Sequence, residues 1–327
     1  MEKALIKSKK KYSPDFAKKE SFNDGEILSI ITSNIKKGYV TSFNAIVDTF
    51  CSLKFIHGTN GPEYGQPFIV LDHTFVYLYR YMREDVLLEK IKHGLSIEQY
   101  LSISISVNGN KTADVLINAP TGMFSRNVEW DAGVGTVQVI NGNSTLKDAC
   151  LSFYSEDYKR DVWMFGDSYF SHYPVYLFNW GYNNMLLDGY GGRGAERALQ
   201  SLNKCLEKCI PEKIVWCMGM NDADTKESIN LSWKTTIENV IQLCEHYDIE
   251  LILTTIPNVP GRNHSFKNSY IRASGLRYID ISQAVGAEIS QNWFKGLLSG
   301  DEVHATELGK RLIASKISDE LPEIYGN

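Results

Sequence analysis

Past residue 160 the sequence alternates short apolar runs with helix-length segments, a rhythm that few folds accommodate. The apolar runs fall at 162–165, 185–187, 213–218, 250–255 and 276–281. Between them lie helical patterns at 193–209, 224–247 and 264–274, with a last one at 306–320. The alternation predicts right-handed βαβ units and a parallel sheet covered on both faces. In such sheets ligands collect beyond the carboxyl ends of the strands, so site residues should follow strands directly.

Ahead of the charged stretch 155–161 the texture is different. Short β-rich runs at 27–31, 67–71, 75–79, 101–107, 113–117 and 134–140 are separated by turn residues. The clearest is Leu101-Ser102-Ile103-Ser104-Ile105-Ser106-Val107, which leads into Asn108-Gly109 and a second apolar run. Strict alternation interrupted by Asn-Gly signals a hairpin, because the favoured turn needs φ > 0 at both central residues. Another turn is expected at Asn141-Gly142, and one helical interruption at 83–93. The first half reads as an all-β sandwich, giving an N-terminal domain over 1–157 and an α/β domain over 158–327.

The net charge of −5 offers no basic surface for nucleic acid. The dense basic run Lys7-Ser8-Lys9-Lys10-Lys11 leads into polar sequence instead of an apolar core, so the start reads as cytoplasmic and not as a secretory leader. No uncharged apolar run reaches the roughly 18 residues of a membrane span. The six cysteines form no CxxC pair, and Cys205 and Cys209 have no histidine nearby in sequence. They read as buried thiols, and no metal is expected.

Four short blocks carry the chemistry. In Gly166-Asp167-Ser168 a hydroxyl stands at a strand-to-helix turn, with its own N–H at the helix start aimed toward any oxyanion. Asp and Ser are also ordinary N-caps, so this block alone decides little. In Asp188-Gly189-Tyr190-Gly191-Gly192-Arg193-Gly194 the glycines let a ligand approach the backbone. Gly189, Gly191 and Gly194 fit the GxGxxG spacing, but the block follows the second strand. The acid about 20 residues on, Glu212, precedes a strand, so the context of a dinucleotide site is missing. Gly219-Met220-Asn221-Asp222 ends a strand with an amide able to donate to an oxyanion, or with a plain turn. In Asp301-Glu302-Val303-His304 a carboxylate three residues ahead of a histidine can fix its tautomer. Together these blocks supply a nucleophile (Ser168), a base (His304), its orienter (Asp301) and oxyanion donors. That is the inventory of acyl transfer to water, and it requires no cofactor.

With these blocks in this order, residues 161–320 resemble the SGNH/GDSL hydrolase superfamily, named for a Ser, Gly, Asn and His in separate blocks. Ser168 matches the Ser of GDS and Asn221 the Asn of GxND, while Asp301 and His304 match the closing DxxH. Gly192 is the best match for the Gly block, with Gly191 as the alternative. Tyr169 stands where the family usually has Leu. The resemblance implies a three-layer α/β/α sandwich around a parallel sheet, a Ser-His-Asp triad, and an oxyanion hole from Ser168, Gly192 and Asn221. Some carbohydrate esterases of this superfamily carry an N-terminal β-sandwich, and this layout looks like theirs. The expected substrate is then a short acyl ester, above all an O-acetyl group, on a small molecule or oligosaccharide. Trp293 and Tyr169 are the rings expected to stack on a sugar. The rival expectations are a lipase or thioesterase acting on longer acyl chains, and a non-catalytic sugar-binding protein.

Overall fold

The computed structural model describes residues 15–35, 39–49, 52–57, 67–72, 74–81, 84–92, 99–107, 112–119, 122–129, 134–142, 144–172, 184–222, 227–288 and 292–325. Contacts divide the chain into two compact units, Ser13–Asp157 and one that holds Tyr158–Asn327.

The first unit is made of antiparallel strands. They are β1 (Asp15–Phe22), β2 (Ile27–Ile35), β3 (Tyr39–Thr49), β4 (Ser52–His57), β5 (Pro67–Asp72) and β6 (Phe75–Tyr81). β7 (Asp85–Lys92), β8 (Tyr100–Val107), β9 (Thr112–Ala119), β10 (Gly122–Glu129), β11 (Val134–Gly142) and β12 (Thr145–Ser155) follow. One sheet runs β1-β12-β3-β8-β9-β10; the strands β2-β11-β4-β5-β6-β7 are neighbours in a second. The alternation of β8 is why it works as a strand: Leu101, Ile103, Ile105 and Val107 are buried and the serines between them are not. Register places Ile103 between Phe43 of β3 and Ile117 of β9, so a row of large apolar side chains crosses the sheet. Leu53, Leu71 and Val76 form a similar row in the second sheet. Two sheets with one buried apolar face each give the pattern of a β-sandwich. Burying each such side chain contributes roughly 1.5–3 kcal/mol.

The β8–β9 pairing agrees with the hairpin reading, although its Asn108-Gly109 turn lies outside the described residues. The helix expected at 83–93 is instead the strand β7, paired with β6. Its run Val86-Leu87-Leu88 has no strand alternation, and all three are exposed. Only Ile91 is turned inward, so pairing with β6 overrides local propensity here.

The second unit follows a 3₁₀ turn at Glu156–Lys159. It runs β13 (Val162–Gly166), α1 (Ser168–His172), β14 (Met185–Gly189), α2 (Ala195–Leu206), β15 (Lys213–Cys217) and α3 (Glu227–Tyr247). Then come β16 (Glu250–Thr254), α4 (Ser265–Ala273), β17 (Arg277–Ile279), α5 (Ile281–Ala284) and α6 (Glu307–Glu320). The strands pair in parallel in the order β17-β16-β15-β13-β14. Every residue of β13 and β14 is buried, as expected of central parallel strands covered on both faces. α2 buries Ala195, Ala198, Leu202, Cys205 and Leu206, one stripe at helical spacing. Numbered within the unit, the strand order is 2-1-3-4-5. The connections therefore reverse direction at β13, and a doubly wound sheet opens its binding crevice at such a switch point.

The last strand is shorter than the sequence reading at 276–281 because Asp280 leaves it to cap α5, accepting the Gln283 N–H. Cys205, Cys209, Cys217 and Cys244 are buried and Cys150 is half-buried, while Cys51 and the basic run at 7–11 lie outside the described residues. No described helix is long and apolar enough to cross a membrane.

Candidate active site

The switch point puts Ser168 directly after β13. Gly166 is required at the strand end, since a Cβ there would lie 2.5 Å from the Phe170 side chain. Asp167 then folds the chain into α1: its carboxylate accepts the Tyr169 N–H at 3.0 Å and its carbonyl accepts the Phe170 N–H at 3.1 Å.

The closing block comes back from far along the sequence to meet this turn. His304 Nε2 lies 2.9 Å from Ser168 Oγ, and His304 Nδ1 lies 2.7 Å from Asp301 Oδ2. Asp301 is held rigidly, because Oδ1 accepts the backbone N–H groups of Val303 at 3.0 Å and His304 at 2.9 Å, and the Ser299 hydroxyl as well. The Ser299 hydroxyl, then those N–H groups and the His304 ring, hold the Asp301 carboxyl well below the usual carboxylate range. It stays ionised, the state that keeps the Nδ1 proton in place and leaves Nε2 as an acceptor. Tyr169 Oη donates to the Val303 carbonyl at 2.6 Å and ties this loop to α1.

The glycine and asparagine blocks also meet. Gly192 takes φ +72°, and Asn221 Nδ2 donates to the Arg193 carbonyl beside it at 3.2 Å. That contact uses one amide hydrogen of two. Asp222 accepts the Ala195 N–H at 3.0 Å and so caps α2. The glycine loop is anchored from below by buried charges: Arg193 Nη1 donates to Asp188 at 2.8 Å, and Nη2 to the Gly166 carbonyl at 2.8 Å. Asp188 also accepts the Ser201 hydroxyl. The Arg193–Asp188 pair therefore connects the ends of β13 and β14.

The five residues expected to carry the chemistry all lie in this one unit, Ser168 at the start of α1 and Gly192, Asn221, Asp301 and His304 in loops. The two rings differ. Tyr169 is 1% exposed, so its face is not available to a sugar; the side chain following Ser168 turns into the core and its hydroxyl serves the histidine loop. Trp293 is half-buried, and its indole N–H donates to the Asn258 carbonyl at 2.7 Å. Sequence reasoning missed Arg193, Asp188, Asp222 and Lys267. Arg193, Asp188 and Lys267 are marked only by being buried charges, and half-buried Asp222 only by its bond to the Ala195 N–H; no local pattern announces either.

Asp167 is the electrostatically unusual group. Burial pushes its carboxyl up to about 6, against the Tyr169 N–H, the Arg193 charge and the Met220 N–H, which pull it down. An acid with a raised folded value binds its proton more tightly in the native state, so its contribution to stability is present at low pH. That contribution is lost as pH rises from about 4, the unfolded value, toward 6. Asp167→Asn should remove this fall. Tm measured from pH 4 to 6 should decline less in the variant than in the wild type, whereas parallel profiles would contradict the assignment.

No family model matches the chain, and no curated protein does. Solved structures similar to it include the lipase/acylhydrolase from Enterococcus faecalis, 23% identical over 50% of this chain and 95% of that one, TM-score 0.40. A GDSL-like lipase from Bacteroides thetaiotaomicron VPI-5482 is 18% identical over 52% and 91%, TM-score 0.41. A carbohydrate esterase family 3 structure from Talaromyces cellulolyticus is 15% identical over 51% and 98%, TM-score 0.38.

Proposed function

We propose that residues 158–327 form a serine esterase of the SGNH/GDSL type, a three-layer α/β/α sandwich, and that residues 1–157 form an accessory β-sandwich. The observation that carries this reading is the continuous contact from Asp301 through His304 to Ser168, at 2.7 and 2.9 Å. A lone histidine in a surface loop has no reason to meet a serine 136 residues away with its other nitrogen on a carboxylate.

In the proposed reaction His304 Nε2 takes the Ser168 proton as Oγ attacks the ester carbonyl. The oxyanion is held by the Ser168 and Gly192 N–H groups and by the second hydrogen of the Asn221 amide. His304 then protonates the departing alcohol, which leaves an acyl-Ser168. Water, deprotonated by His304, attacks this ester; the bond to Oγ breaks, His304 returns the proton to Ser168 and the carboxylic acid leaves. Asp301 stabilises the imidazolium formed in both halves. No step calls for a cofactor.

For the substrate we favour a short acyl group, acetyl above all, on a carbohydrate. Trp293 is the remaining candidate for stacking, with Tyr169 withdrawn. Rates on p-nitrophenyl esters of rising chain length, alongside acetylated oligosaccharides, test this choice. The acetyl compounds should have the highest kcat/KM, with a steady fall as the chain lengthens. A rate that holds or climbs with chain length would favour the long-chain reading, and no turnover of any ester would favour a sugar-binding protein.

A further inference from the structure

The proposed hydrolysis leaves unused a buried cation behind the Asn221 loop. Lys267, in the first turn of α4, is 0% exposed. Taking an ammonium out of water is costly unless its donors are matched. Here main-chain oxygens match them: Nζ donates to the Gly219 carbonyl at 2.6 Å and to the Asp222 carbonyl, with His264 Nδ1 at 3.5 Å. Those two carbonyls bracket Met220 and Asn221. Neighbouring carbonyls are engaged too, Met218 by the Trp233 indole N–H at 3.1 Å and Met220 by Arg262 Nη1 at 3.2 Å.

We propose that Lys267 is a positioning residue for ester hydrolysis: by holding the main chain on both sides of Asn221, its ammonium sets the side-chain amide where the oxyanion forms. The inference rests on the reading of Asn221 as an oxyanion donor. Its physical basis is preorganisation, since a donor helps only if it already points at the site of developing charge.

The test is a double-mutant cycle on p-nitrophenyl acetate, with rates expressed per folded molecule from circular dichroism and thermal unfolding. Lys267→Met keeps chain length and packing but removes the donors, whereas Lys267→Gln keeps an N–H. Asn221→Ala should cost about 10²–10³ in kcat. Lys267→Met should lower kcat by about 10- to 100-fold, within that range or below it, with KM changed by less than about twofold. Lys267→Gln should recover part of the loss. Introduced on Asn221→Ala, Lys267→Met should add less than about twofold, because the group it positions is gone. A full Lys267→Met loss persisting on Asn221→Ala, or a loss confined to KM, overturns the positioning role and leaves the role of Asn221 standing. Asn221→Ala with wild-type kcat overturns both. Should Lys267→Met not fold, Lys267→Gln enters the same cycle, with a smaller kcat loss expected and the same overturning results.

Discussion

Ser168→Ala is expected to lower kcat on a short p-nitrophenyl ester by a factor on the order of 10⁶, the scale found when a triad nucleophile is removed. The size follows from the role: without Oγ no acyl-enzyme forms, and what survives is the oxyanion donors acting on water. The loss should lie in kcat and not in KM, since the hydroxyl is exchanged for a hydrogen at a position that is only 7% exposed. The fold should be untouched, because the turn is held by Asp167 and Tyr169 and not by the serine side chain. His304→Ala should cost about as much, and the double variant little more, as groups acting as one unit are strongly non-additive. Retention of more than about a hundredth of the wild-type rate by Ser168→Ala would place the nucleophile elsewhere, given the scale of triad losses.

The second large effect is on stability. Gly219 adopts φ +142°, a region that side chains rarely enter. A Cβ there would lie 2.3 Å from Ile256 Cδ1, 3.1 Å from the Trp233 indole nitrogen and 3.3 Å from Lys267 Cδ. Backbone strain of about 1–3 kcal/mol adds to an overpacking cost of similar size. Gly219→Ala should therefore lower the unfolding free energy by about 2–6 kcal/mol in urea titrations. Gly191→Ala is the comparison, since its added Cβ meets nothing within 4 Å and its φ is not positive; it should stay within about 0.5 kcal/mol. Equal losses at the two positions would show that crowding around Gly219 does not set its identity.

What could be read from the sequence was whatever repeats or sits at a strand end. The alternation in Leu101–Val107 and the apolar runs past residue 160 carry their own periods, so strands and helices emerge close to their expected bounds. Ser168, Gly192 and Asn221 were legible as candidates because they follow β13, β14 and β15 at one edge of the sheet, and His304 only through its spacing from Asp301 in the loop ahead of α6. The run at 83–93 was misread because three consecutive apolar residues carry no period, and pairing with β6 decided the outcome. Tyr169 was misassigned because its neighbour's role says nothing about which way the next side chain turns in a short helix. Lys267 and Arg193 were invisible for a different reason. Lys267 contacts backbone 48 residues away, and Arg193 reaches Gly166 across 27 residues. A buried charge that holds carbonyls leaves no local mark distinguishing it from a solvated one.

The central claim is that Ser168 is a nucleophile activated by His304 and oriented through Asp301. Labelling the intact chain with a fluorophosphonate, followed by peptide mass spectrometry, tests it most directly. The expected result is a single adduct on the peptide containing Ser168, abolished by Ser168→Ala and strongly slowed by His304→Ala. An adduct on another residue, or no adduct on folded wild-type protein, would contradict it.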